Sequence, residues 1–167
     1  MISAIQGANG ASRMDLGTLL KPEAVKVVTS ASSKKRLLHE IADLVQQAYS
    51  LNASRVVEAL MSREALGPTG VGQGVALPHA RLDGLSKVMG AFVLLDKPIE
   101  FEAVDRQPVD IAFALFAPEE AGVEHLKALA LVSRTLRDPA ICAKLRANPN
   151  PATLFAILNE AKSAKAA

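Results

Sequence analysis

The stretch from Val109 to Phe116 limits the fold more than any other part of the sequence. Apart from Asp110 it is apolar, with Val109, Ile111, Phe113 and Leu115 on one side of an extended chain and Ala112 and Ala114 on the other. A strand that is apolar on both faces must be covered on both, so it belongs inside a sheet with helices above and below. Val88 to Leu95 reads as a second buried strand. Ile99 to Phe101 reads as a short third one, set off by turns at Lys97-Pro98 and from Asp105 to Pro108.

Helical patterns surround these strands. Leu37, Leu38, Ile41, Leu44, Val45 and Ala48 make one apolar stripe, which predicts a helix from about Ser33 to Tyr49 with Ser32 or Ser33 as its cap. A second helix is expected from Ala53 to Ala65 behind Asn52, with Val56, Val57, Leu60 and Met61 on one side. A third is expected from Val123 to Arg137, with Leu126, Leu129, Ala130 and Leu136 facing inward. Asp138-Pro139 and Asn150-Pro151 each place a capping side chain before a proline suited to a first helical position, and so start two more helices. Strands and helices therefore alternate in a layered α/β sandwich. Residues 1–14 and 162–167 are small and polar enough to be tails, leaving a single domain over 15–161.

Composition removes several function classes. Nineteen basic residues offset seventeen acidic ones, and the run Lys34-Lys35-Arg36 is too short for a nucleic-acid footprint. Aromatic residues are 4% of the chain, too few to interleave with bases. The one cysteine, Cys142, lies in an apolar helical stretch and reads as a packed thiol. No apolar run nears the roughly 20 residues of a membrane span, and the N-terminus lacks the layout of a signal peptide. A cytoplasmic protein without direct membrane insertion is expected.

The chemistry concentrates between Gly67 and Arg81, where Gly70, Gly72 and Gly74 permit sharp turns and close approach. Such a turn either reverses the chain or gathers backbone N–H groups into an anion-binding nest. It lacks the Gly-Lys-[Ser/Thr] ending of a phosphate-binding P-loop. His79 follows directly, held by the stiff backbone around Pro78. A histidine carries phosphate when one ring nitrogen is free, the other is held by a hydrogen bond, and donors meet the arriving oxygens. Arg63 or Arg81 can be such a donor. His125, near the start of the third helix, reads from spacing alone as a surface residue, and His39 as a boundary residue without a role. The three histidines have no metal-ligand spacing, so neither metal nor cofactor is expected.

Met61-Ser-Arg-Glu-Ala-Leu-Gly-Pro-Thr-Gly-Val-Gly-Gln-Gly-Val-Ala-Leu-Pro-His-Ala-Arg81 resembles the active-site signature of the enzyme IIA domains of the bacterial phosphotransferase system, fructose/mannitol class. Glu124-His-Leu-Lys-Ala-Leu129 resembles the family's second histidine motif, and the likeness covers about residues 16 to 160. It implies an α/β fold with a mixed β-sheet sandwiched between helices. It implies that His79 accepts a phosphoryl group from an HPr-like donor, supported by His125 and Arg63, with Thr69, Gly70, Gly72 and Gly74 as a phosphoryl-cradling loop. Leu19-Leu-Lys-Pro-Glu-Ala-Val25 and the glycine loop look most like the nitrogen-regulatory type. That likeness implies control of partners such as potassium transporters or sensor kinases through phosphorylation state. A sugar-transport enzyme IIA and a non-catalytic anion- or nucleotide-binding module are the alternatives. The surface around His79 is expected to be shallow and rimmed by Leu66, Val71 and Leu82.

Overall fold

The structure is a computed structural model and describes residues 14–166, with side chains through residue 161. Its helices begin where capping side chains stand. Helix α1 (Leu16–Leu19) is one turn closed reciprocally: the Asp15 carboxylate accepts from the Thr18 N–H at 3.1 Å, and the Asp15 N–H donates to the Thr18 hydroxyl at 3.4 Å. Helix α2 (Lys34–Tyr49) starts at Ser33 and α3 (Ala53–Leu66) at Asn52. After α4 (Gly122–Leu136), α5 (Pro139–Arg146) starts at Asp138, with proline at its first position. Asn150 accepts from the Thr153 N–H at 3.0 Å at the head of α6 (Pro151–Ala166). The N-terminal tail expected over residues 1–14 lies, Met14 apart, outside the described residues. The C-terminal one is, through Ala166, a continuation of α6.

Six strands form one mixed sheet: β1 (Leu20–Val28), β2 (Gly70–Gly72), β3 (Val75–Ala76), β4 (His79–Leu82), β5 (Met89–Ile99) and β6 (Val109–Pro118). The order is β1-β5-β6-β3-β2, and β4 also pairs with β6. β5 and β6 run antiparallel; β1 on β5, and β3 and β4 on β6, run parallel. As the sequence required, β6 is central: Val109 and every residue from Ile111 to Ala117 is fully buried. α4 packs on β6, α3 on β4, and α2 and α6 on β1. Phe92 and Phe113 meet edge to face at 6.2 Å between ring centroids.

Three expectations are corrected, and one strand is new. Lys97-Pro98 does not end a strand: β5 runs on to Ile99 across a register shift. The segment after it, through Ala103, is not a strand. β1 is a strand that the sequence reading did not contain. The inward face of α4 is His125, Ala128, Val132, Thr135 and Leu136, while Leu126 and Ala130 face solvent and Leu129 is half-buried.

Asp110, the polar interruption of β6, is an anchor. Arg146 of α5 donates to its carboxylate through Nε and Nη2 at 2.9–3.0 Å, and its Nη2 also donates to the Gln73 carbonyl at 2.9 Å. The glycine turn is thereby pinned to β6 and α5. Nearby, the buried Cys142 thiol lies 3.1 Å from the Leu136 carbonyl, and burial pushes its pKa up.

Candidate functional site

His79 opens β4 opposite Leu115 of β6. Pro78 has no N–H to give, but its carbonyl accepts the Leu115 N–H at 3.0 Å, so the ladder spans the break between β3 and β4. The break leaves the Leu77 carbonyl 2.7 Å from His79 Nδ1. A carbonyl can only accept, so Nδ1 carries the proton and Nε2 keeps its lone pair. Arg63 Nε–H donates to that nitrogen at 3.3 Å, and Arg63 Nη1 donates to the Gly67 carbonyl at 3.0 Å. The pKa of His79 is lowered, first by burial and then by the Arg63 charge, against the pull of the Leu77 carbonyl and Glu64. The ring is neutral near pH 7.

His125 lies beside it, with ring centroids 5.5 Å apart and planes at 76°. Spacing placed it on the surface of its helix; it is 6% exposed and its Nε2 has no hydrogen-bond partner. Burial, then the neighbouring His79 and Arg81, lowers its pKa to about 4. A neutral imidazole with a buried, unpartnered nitrogen is poised to meet an incoming polar group. Both rings open onto a shallow depression of about 440 Å³, walled by Ala59, Ser62, Arg63, Leu66, Ala80 and Arg81. Arg81 Nη1 is held by the Glu119 carbonyl at 3.1 Å. The site thus offers a neutral nucleophilic nitrogen, a second imidazole and two guanidinium groups, a set matched to a phosphoryl oxyanion.

The expected site residues divide into two groups. His79, His125 and Arg63 meet at the depression, and Arg81 joins them. Thr69, Gly70, Gly72 and Gly74 are not among its walls. Gly70 and Gly72 form β2, which pairs antiparallel with β3. Gln73 and Gly74 make the two-residue turn with φ of 59° and 81°, the left-handed pair that such a hairpin turn requires. The glycines therefore reverse the chain and close-pack it. Of the expected rim, only Leu66 lies at the depression, 83% exposed; Leu82 is buried, and Val71 borders a separate hollow beside Ser133 and Arg137.

The sequence reading gave Glu64 and Lys34 no role. The Glu64 carboxylate accepts from the Thr69 N–H at 3.2 Å and from the Thr69 hydroxyl, and pairs with Lys34 at 2.8 Å. The signal for Glu64 was its place between Arg63 and the loop; Lys34 had none, lying thirty residues earlier in a basic run. Among the described residues no group of three or more His, Cys, Asp or Glu is placed to hold a metal ion. No helix among them is long and apolar enough to cross a membrane.

A histidine pair beside an arginine on a mixed α/β sheet is a set suited to phosphoryl transfer, and comparison with known proteins places the chain in a family of phosphoryl-transfer carriers. Residues 18–161 match the model of the phosphoenolpyruvate-dependent sugar phosphotransferase system EIIA 2 family, and the chain belongs to that family. Within it, the chain is similar to nitrogen regulatory proteins. The chain is 46% identical over 145 residues to one from Bradyrhizobium diazoefficiens, which spans 87% of this chain and 95% of that protein. It is 38% identical over 153 residues to one from Escherichia coli K12, at 91% and 94% coverage. The crystal structure of nitrogen regulatory protein IIA-Ntr from Neisseria meningitidis superposes with a TM-score of 0.78 at 37% identity, covering 86% of this chain and 98% of that one. IIA mannitol from Escherichia coli, at 18% identity and a TM-score of 0.70 over 83% of this chain and 97% of its own, shares the fold.

Proposed function

We propose that this phosphotransferase-system carrier takes its phosphoryl group on His79 Nε2 from an HPr-like donor in the cytoplasm. The observation that carries this is the fixed tautomer: Nδ1–H held on the Leu77 carbonyl leaves Nε2 as the nucleophile, facing Arg63 across an open surface. The lone pair forms the new N–P bond as the donor's N–P bond breaks and its electron pair returns to the donor ring. Positive charge grows on the His79 ring during transfer, and the Leu77 carbonyl stabilises it through Nδ1–H. Arg63 moves its donors from Nε2 to the phosphoryl oxygens, and the unpartnered Nε2 of His125 donates to another. The shallow depression suits a site that a folded donor protein must enter.

The likeness to nitrogen regulatory proteins at 38–46% identity favours a regulatory role over sugar transport. On this reading the chain controls partners in nitrogen or potassium metabolism, such as potassium transporters or sensor kinases, according to whether His79 carries phosphate.

The test is intact-protein and peptide mass spectrometry after incubation with phosphoenolpyruvate, enzyme I and an HPr-like donor. One acid-labile phosphate on His79, absent from His79→Ala, is expected. With an active donor, an unmodified wild-type chain overturns the reading in favour of a non-covalent anion-binding module. Loss of the phosphate to a fructose or mannitol permease domain would identify a sugar-transport component instead.

A further inference from the structure

Both hydrogen bonds that hold His79 trace back to one residue, Glu64, the first through its enclosed carboxylate and the second through its backbone carbonyl. The Glu64 side chain is 7% exposed, and its oxygens take the Lys34 ammonium together with the N–H and hydroxyl of Thr69. Thr69 is 3% exposed, and its carbonyl accepts the Leu77 N–H at 2.9 Å. The carbonyl of that same Leu77 fixes His79 Nδ1–H. On the other side, the Glu64 carbonyl accepts the Gly67 N–H at 3.1 Å, and the Gly67 carbonyl accepts from Arg63. Arg63 then reaches His79 Nε2. The bonds form a closed circuit: His79, Leu77, Thr69, Glu64, Gly67, Arg63 and back to His79.

A buried carboxylate is costly unless its lone pairs are used, and keeping one needs a reason. Glu64 is not a wall of the depression, so contact with a ligand is not that reason. Its Thr69 anchor sets the height of the Leu77 carbonyl, while its own backbone sets the Gly67 carbonyl on which Arg63 rests. Without the anchor, the Leu77 carbonyl and the guanidinium lose their registration, and the imidazole proton is free to move to Nε2. That tautomer has no lone pair facing the depression.

We propose that Glu64, held by Lys34 and Thr69, is a positioning residue that sets the tautomer and orientation of His79 and thereby its rate of phosphoryl transfer. The proposal rests on His79 being the acceptor. It assigns Glu64 no contact with the phosphoryl group.

The test uses the full chain with Thr69→Val, Glu64→Gln and Lys34→Met, each checked for folding by circular dichroism; Thr69→Ser is the conservative comparison. Long-range proton–nitrogen NMR spectra of the imidazoles report the tautomer in the free protein. Uptake kinetics from a phosphorylated HPr-like donor report the rate. In wild type, Nδ1 should read as protonated and Nε2 as unprotonated. In the folded variants the two signals should converge toward a mixed tautomer, and kcat should fall about tenfold with KM within about twofold, the effect of one lost charge-assisted hydrogen bond on the chemical step. Thr69→Ser should recover the wild-type spectrum and most of the rate. Folded variants that keep the wild-type ring signals, or whose loss lies in KM, overturn the proposal. If the wild-type chain takes up no phosphate while the ring signals still move in the variants, the positioning role stands and the acceptor reading falls.

Discussion

Acid should loosen this protein through His125. In the fold its pKa is lowered to about 4, against 6.5 for an unperturbed imidazole. Between those values the unfolded chain binds the proton and the folded one does not, so stability rises with pH across the window and is lost as pH falls below about 6.5. At pH 5.0 the full shift corresponds to about 2 kcal/mol relative to pH 7.5, from RT times the logarithm of the ratio of the two binding polynomials. The ring borders an open depression, and solvent there screens part of the charge. A loss of about 1 kcal/mol is therefore expected. Urea unfolding at pH 7.5 and 5.0 measures it, with His125→Gln as the non-titrating comparison. The variant should lose about 1 kcal/mol less than wild type over that interval. Equal losses in the two proteins, or a His125 ring that titrates near 6.5 by NMR, would refute the reasoning.

Other outcomes follow from single contacts. Arg63→Lys cannot hold both the Gly67 carbonyl and His79 Nε2, and should slow phosphoryl uptake about tenfold, read in single-turnover kinetics, with little change in melting temperature. Gly70→Ala places a methyl carbon 2.7 Å from the Ala103 side chain and 2.8 Å from its Cα, so backbone must shift. A loss of about 1–3 kcal/mol is expected, several degrees in a thermal melt. Tyr49→Phe removes the hydroxyl that donates to the Gly90 carbonyl at 2.7 Å and accepts from the Lys21 N–H at 3.3 Å; urea unfolding should show a cost of about 1 kcal/mol. Because burial lowers the pKa of His79, acid should slow uptake at a lower pH than that at which a free imidazole titrates, read from the pH profile of single-turnover uptake.

What the sequence disclosed depended on whether local chemistry or distant packing sets a feature. Helix starts were legible because Ser33, Asn52 and Asp138 act within three residues of themselves. β6 was legible because it is apolar on both faces. β1 was not, since Lys21, Pro22 and Glu23 read as loop; an edge strand with only β5 beside it tolerates a proline and charges. The inner face of α4 was misjudged because polar His125 and Thr135 are buried while apolar Val123 and Leu126 lie exposed. Thr135 is tolerated inside because its hydroxyl donates to the Leu131 carbonyl at 2.9 Å. His79 and Arg63 were readable from one continuous signature. Pairing His79 with His125, 46 positions on, required the fold to lay α4 against β6.

The enclosure of Cys142 gives the molecule a built-in clock. A thiol reagent cannot reach a sulfur packed under α5 and held near the Leu136 carbonyl, so alkylation must wait for that corner to open. Since the chain has no second cysteine, the labelling half-life reads one opening event without any engineered probe. Where reclosing outruns alkylation, the rate gives the population of the open form; where alkylation outruns reclosing, it gives the opening rate itself.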